Sequence, residues 1–274
     1  MTGRTMVGVW FSALSLVAAS ILVLVAVAPR PLDRFVGVPT VVIGSSLTGY
    51  AVPERGDKTS SLLGDGRAHR RVAVKRASED RLLDLLDEAL YAHPALVLIE
   101  ANPFLFSFAD RRGERPCDGW VQAMRARIAQ LHDFPVGAAR RLAGLQGPDE
   151  FGELPLDRPQ LIDPAALRRL YPLVLHEPCD IDRFAELVNR AKKQHTRVAL
   201  LLLPRSPAAI AVVGARTDTA IGWHAEKLAS RLGVTIVPLT GPWRNAEFVD
   251  QAHVNREGRR HVVADLRRWW QNAA

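Results

Sequence analysis

Short aliphatic runs separated by helix-forming stretches constrain this chain more than any other feature. Thr40-Val41-Val42-Ile43, residues 71–75, 95–99, 197–203 and 234–239 are β-branched or leucine-rich and scarcely alternate with polar residues. Strands of that kind need cover on both faces, as in a parallel sheet buried between helices. Between them, residues 79–91 place Leu82, Leu83, Leu85, Leu86, Ala89 and Leu90 on one helical stripe, with Ser78 in position to cap it. Further helices are expected at residues 120–132, 164–170, 182–194, 219–232 and 256–270. Residues 47–70, rich in glycine, serine and charge, read as a surface loop. The pattern loosens from about 104 to 195, where proline-rich connections suggest a helical insertion. The expected fold class is α/β: a three-layer α/β/α domain over residues 35–274 with a mainly parallel, doubly wound sheet.

Composition excludes several classes. The 274 residues are 48% hydrophobic and 24% charged, which excludes a disordered chain, and two cysteines cannot knit a disulfide scaffold. The net charge of +7 comes from dispersed arginines, among them Arg70, Arg71, Arg140, Arg141, Arg168, Arg169, Arg259 and Arg260. Paired arginines without interleaved aromatics read as solvated faces, so no nucleic acid is expected as a partner. Cys117 and Cys179 lie in proline-marked loops and lack the spacing of a metal site, so no metal is expected. A bridge between them would staple the insertion in an oxidising compartment; two unrelated thiols are the alternative.

Residues 7–28 carry no charge and, at a rise of about 1.5 Å per residue, are long enough to cross a hydrocarbon core of about 30 Å. Arg4 and Ala26-Val27-Ala28 give the segment some likeness to a signal peptide. Its apolar run exceeds the usual length, however, and Pro29 would occupy the first mature position. Residues 1–34 are therefore read as a single-pass membrane anchor and linker. Arg4 precedes the span and Arg30 and Arg34 follow it, so the positive charges leave its orientation open.

Ligands of doubly wound sheets collect at the carboxyl ends of the strands. The first strand runs into Gly44-Ser45-Ser46-Leu47, where Ser46 can project its hydroxyl from a tight turn or simply open a helix. Thr48 rules out the G-x-S-x-G elbow. A middle strand ends at Glu100-Ala101-Asn102-Pro103, where Asn102 can donate to an oxyanion or open an Asn-Pro turn. After the last strand comes Asp250-Gln251-Ala252-His253-Val254-Asn255-Arg256-Glu257-Gly258. That spacing lets the Asp250 carboxylate reach Nδ1 of His253 and leaves Nε2 free to take a proton from a serine. Asp250 as a plain helix-start carboxylate is the alternative.

Taken together, a serine after the first strand, an asparagine after a middle strand and DxxHxNxxG after the last resemble the SGNH (GDSL-like) hydrolase superfamily. The likeness runs from Val41 to about Trp270 and implies a flavodoxin-like α/β/α fold. It implies Ser46 as nucleophile, His253 as general base and Asp250 as the residue orienting that base. The oxyanion donors would be Asn102 and the Ser46 N–H. Two motifs depart from the pattern: GDS is Gly44-Ser45-Ser46, and GxND keeps only Asn102. Arg76-Ala77-Ser78 stands where a further oxyanion glycine belongs. With the expected anchor, the chain is similar to membrane-anchored branches that acylate or deacylate envelope polysaccharides. That implies an ester hydrolase or O-acetyltransferase without cofactor, on the extracytoplasmic side of the inner membrane. Its partners would be an acylated carbohydrate and a membrane-bound acyl donor protein. A non-catalytic anchored module binding a glycan or a partner acyltransferase is the alternative. If residues 7–28 anchor the chain, carbonate washing should leave it in the membrane fraction. Recovery of a chain beginning at Pro29 would instead identify a cleaved leader.

Overall fold

A computed structural model describes residues 35–56, 61–75, 77–108, 156–157, 163–170, 173–239 and 241–273. The expected anchor and linker, the helix at 120–132, and Arg76, Arg140, Arg141 and Cys117 lie outside them. Among the described residues no helix is long and apolar enough to cross a membrane.

The first strand, β1 (Thr40–Gly44), is buried along its whole length. It is followed by helix α1 (Ser46–Ala51), the short strand β2 (Arg55–Gly56) and β3 (His69–Ala73). Helix α2 (Glu79–Leu90) leads to β4 (Leu96–Glu100), a 3-10 turn at Asn102–Phe104, and β5 (Phe106–Phe108). Then come α3 (Pro164–Leu170), β6 (Leu173–Leu175), α4 (Ile181–Lys193), β7 (Arg197–Leu201), α5 (Pro207–Val213), α6 (Ala215–Leu232), β8 (Thr235–Val237), a 3-10 turn at Asn245–Glu247 and α7 (Arg256–Ala273).

Among the described residues six strands form one mixed sheet in the order β2-β3-β1-β4-β7-β8. All its pairings are parallel except that of β2, which closes the edge antiparallel to β3. The first parallel strand thus lies between the second and third, and the chain winds away from β1 in both directions. Strand alternation sorts the core into two layers. Val41, Ile43, Val97, Ile99 and Leu200 pack with residues of α2, α4 and α6, including Leu86, Phe184 and Ile221. Val42, Leu98, Ala199 and Leu201 pack on the opposite face with Val262 and Leu266 of α7 and with Leu62 and Leu63. Fully burying each such side chain is worth about 2 kcal/mol, which is why the strands tolerate so few polar residues.

Several local expectations meet their physical causes here. Ser78 caps α2 by accepting the Arg81 N–H at 3.3 Å, and α4 packs on the sheet through Phe184, Leu187 and Val188. The segment read as a loop over 47–70 instead contains α1 and the buried Leu62 and Leu63. A helix of six residues is too short to show a periodic stripe. A separate two-stranded ribbon, β5 with β6, also escaped notice. Helix α5 was missed although Ser206 and Pro207 form a standard start signal, with Ser206 accepting the Ala209 N–H at 3.2 Å.

Cys179 is disulfide-bonded; its expected pairing with Cys117 falls outside the described residues. The Cys179 backbone N–H donates to Glu79 Oε2 at 2.8 Å, while His176 Nδ1 lies 3.6 Å from Glu79 Oε1. Burial pushes the Glu79 carboxyl up to about 7; the Cys179 N–H opposes this, and the charges of Asp80 and Asp180 reinforce it. With its folded pKa above the unfolded value of 4.5, Glu79 favours folding fully below pH 4.5, and that contribution is lost as pH rises through about 7. The thermal midpoint of Glu79→Gln relative to wild type should therefore rise between roughly pH 5 and pH 8. A constant difference across that range would refute this account.

Candidate active site

Strand β1 delivers Gly44-Ser45-Ser46 to the carboxyl edge of the sheet, between the ends of β3 and β4. Ser45 is the N-cap of α1, its Oγ accepting the Leu47 N–H at 3.2 Å, and Ser46 is the first helical residue. Only glycine fits before them, because a Cβ on Gly44 would lie 1.9 Å from Thr48 Oγ1 and 2.6 Å from Glu100 Oε2.

The histidine arrives from the far end of the chain. Asp250 Oδ1 accepts the backbone N–H groups of Ala252 at 2.9 Å and His253 at 2.8 Å, which folds the loop tightly around the carboxylate. Val249 N–H donates to His253 O at 2.7 Å, and Phe248 bridges Val254. Within this loop His253 Nδ1 lies 2.8 Å from Asp250 Oδ2 and 3.0 Å from Oδ1. On the other side of the ring, His253 Nε2 lies 3.0 Å from Ser46 Oγ. The Tyr50 ring packs against the imidazole with centroids 4.6 Å apart.

The remaining residues of the DxxHxNxxG pattern build the helix that follows. Asn255 Oδ1 accepts from Glu257 N–H at 2.9 Å and Gly258 N–H at 3.1 Å. Gly258 passes so close to Glu247 that a Cβ would lie 2.3 Å from its carbonyl oxygen. Asparagine and glycine at these positions thus fix how α7 leaves the loop, and with it where His253 stands.

Asn102 is tied to the main chain that leaves β7. It is buried, and its amide forms a reciprocal pair with the Leu203 main chain. Nδ2 donates to Leu203 O at 3.1 Å, while Leu203 N–H donates to Oδ1 at 2.9 Å. The side chain therefore joins the end of β4 to the segment leaving β7, and one amide N–H remains beyond that pair.

Sequence reasoning overlooked the charged groups around α1. Glu100, at the end of β4, is 0% exposed. Its Oε2 accepts from Ser45 N–H at 2.7 Å and from Thr48 Oγ1 at 2.6 Å, and its Oε1 accepts from Ser45 Oγ at 2.7 Å. Burial pushes the Glu100 carboxyl above its ordinary range, against the pull of these donors. At the opposite end of α1, buried Arg71 donates through Nη1 to Val52 O at 2.6 Å and also to Gly49 O. Arg259 of α7 donates from Nε to Tyr50 O at 2.7 Å and from Nη2 to Gly49 O at 3.1 Å. No local motif marks such groups, because their partners are distant in sequence.

Burial pushes the Asp250 carboxyl upward, but the hydrogen bond and charge of His253, with the Ala252 and His253 N–H groups, outweigh it and hold it below its ordinary range. A carboxylate on Nδ1 and a hydroxyl on Nε2 is the arrangement in which an imidazole can take a serine proton. Among the described residues no group of three or more His, Cys, Asp or Glu is placed to hold a metal ion.

No protein-family model and no curated protein matches this chain. Among solved structures it is similar to a GDSL-like lipase from Bacteroides thetaiotaomicron VPI-5482, with 12% identity, 94% of this chain and 98% of that chain covered, and a TM-score of 0.44. It is also similar to a lipase/acylhydrolase from Enterococcus faecalis, with 12% identity, 85% and 96% coverage and a TM-score of 0.44. An acetylxylan esterase from Geobacillus stearothermophilus shows 12% identity, 85% and 94% coverage and a TM-score of 0.43.

The Asn102 pairing gives a stability prediction. Asn102→Ala strands the buried N–H and C=O of Leu203, which should lower the free energy of unfolding by about 2 kcal/mol. A denaturation midpoint unchanged from wild type would show that the pair contributes nothing to the fold.

Proposed function

We propose that this chain is a serine-dependent ester hydrolase or O-acyltransferase of the SGNH type, with Ser46 as nucleophile, His253 as general base and Asp250 holding the imidazole. The observation that carries this reading is the 3.0 Å approach of Ser46 Oγ to His253 Nε2, with Asp250 bound to the other ring nitrogen. As Ser46 Oγ bonds to the acyl carbonyl carbon, its proton passes to His253 Nε2 and the carbonyl oxygen becomes an oxyanion. The Ser46 N–H and the remaining Asn102 amide N–H are the proposed donors to it. Collapse expels the alcohol, which takes the proton back from His253 and leaves an acyl-Ser46 ester. Water or a sugar hydroxyl then attacks that ester and gives its proton to His253, which passes it to Ser46 Oγ as the Ser46–acyl bond breaks and the free acid or the new sugar ester leaves. Water makes the chain an esterase; a sugar hydroxyl makes it a transferase.

The uncharged run at residues 7–28 supports a site held near a membrane, and the family likeness extends this to an O-acylated envelope polysaccharide as substrate. A membrane-bound acyl donor protein would be the partner in the transfer direction.

A fluorophosphonate probe tests the serine directly. Wild-type protein should label, Ser46→Ala should not, and His253→Ala should label about 10⁴-fold more slowly. Asp250→Asn should also be slowed, by up to about 10⁴-fold, because the amide no longer enforces the tautomer with Nε2 free. The Asp250 carboxyl, held low by His253 and the Ala252 and His253 N–H groups, stays charged across the neutral range. Undiminished labelling of Ser46→Ala would overturn the nucleophile assignment. An unlabelled wild type would favour a non-catalytic binding module.

A further inference from the structure

Glu100 is a costly residue to have where it stands. The four residues before it in β4 are Leu96-Val97-Leu98-Ile99, and an apolar side chain would continue the strand without the penalty of a buried charge. The bonds of Glu100 explain its presence. Three of its hydrogen bonds come from Ser45, through the backbone N–H at 2.7 Å and through Oγ at 2.7 and 3.0 Å, and a fourth comes from Thr48 Oγ1 at 2.6 Å. These donors flank Ser46 on both sides, and the missing Cβ of Gly44 leaves the room in which they meet.

We propose that Glu100 is a positioning residue: its carboxylate fixes the Ser45–Thr48 turn so that Ser46 Oγ meets His253 Nε2. This rests on the reading of Ser46 as nucleophile. Among the described residues Glu100 is the side chain that bonds both Ser45 and Thr48. Ser45 Oγ also accepts the Leu47 N–H at 3.2 Å, and Glu100 orients that hydroxyl for the task by accepting its hydrogen bond. Glu100 thus acts through Ser45 and Thr48 and touches no reacting atom. What it contributes is the direction of the Ser46 side chain, and with it the direction of the Ser46 N–H.

A role through hydrogen-bond acceptance and a role in packing alone make different predictions for the amide. In Glu100→Gln the side-chain oxygen can still accept the Ser45 N–H and the Thr48 hydroxyl, while the Ser45 hydroxyl turns to accept from the new NH₂. In Glu100→Ala every one of these bonds is lost. The experiment measures the second-order rate of fluorophosphonate labelling on the full chain, normalised to the folded fraction found by thermal melting of the same sample. Glu100→Ala should label at least about 10-fold more slowly per folded molecule, as expected when a reacting group is misaligned. Glu100→Gln should recover most of the wild-type rate. Should Glu100→Ala fail to fold, Thr48→Val and Ser45→Ala remove single donors at nearly constant shape, and each should slow labelling severalfold. Wild-type rates per folded molecule in all the variants that fold, with wild type itself labelling, would overturn the positioning role and leave the Ser46 assignment standing. An unlabelled wild type would overturn the Ser46 assignment and this inference with it.

Discussion

Two buried ionisable side chains, an acid and a base, hold the helix on which the candidate site depends. Glu100 is 0% exposed and Arg71 2% exposed, and α1 lies between them with its N-terminus on the carboxylate and its C-terminal carbonyls on the guanidinium. The arrangement follows the polarity of the helix itself, a hydrogen-bond acceptor at the start and a guanidinium at the end. A helix of six residues cannot stand on its own hydrogen bonds. Its existence is a tertiary fact, and the acid at its start is the side chain proposed to orient the first residue, Ser46.

The sheet explains why these groups meet. With β1 flanked by β3 and β4, the chain must leave β1 on one side and return on the other, which opens a crevice at the carboxyl edge. Ser46 enters it from β1 and Asn102 follows β4. The segment after β7 reaches the His253 loop, with Ser206 N–H donating to Gln251 O at 3.1 Å and Ala208 N–H to Asn245 Oδ1 at 3.0 Å. Arg259 closes the circuit, since it belongs to the helix behind His253 yet bonds the carbonyls of the helix behind Ser46.

How far the sequence could be read depended on the range of the interactions involved. The β-branched runs of β1, β4 and β7 and the leucine stripe of α2 announce themselves because local burial dictates composition. The Asp250–His253 spacing is legible for a similar reason, as the contact closes within one loop. Helix α1 and the β5–β6 ribbon left no periodic trace, being shorter than the window in which a period can be seen. Glu100 looked like a mere departure from a motif, and Arg71 like half of a solvated pair. Their meaning lies in partners 55 and 19 positions away. Asn102 showed its residue type but not its partner, a main chain 101 positions downstream.

The loop from Val249 to Gly258 has one more consequence. Asp250 orients His253 through contacts made inside the loop, whereas Ser46 lies 207 positions away and is brought near only by the sheet. The imidazole and its carboxylate are therefore a self-contained module, and the proposed nucleophile is the separately mounted part. Substitutions elsewhere in the domain can tilt one mounting against the other while both halves keep their internal order. The Ser46–His253 approach can therefore be opened with every residue of both motifs still in place, and restored by re-registering two helices without a new side chain.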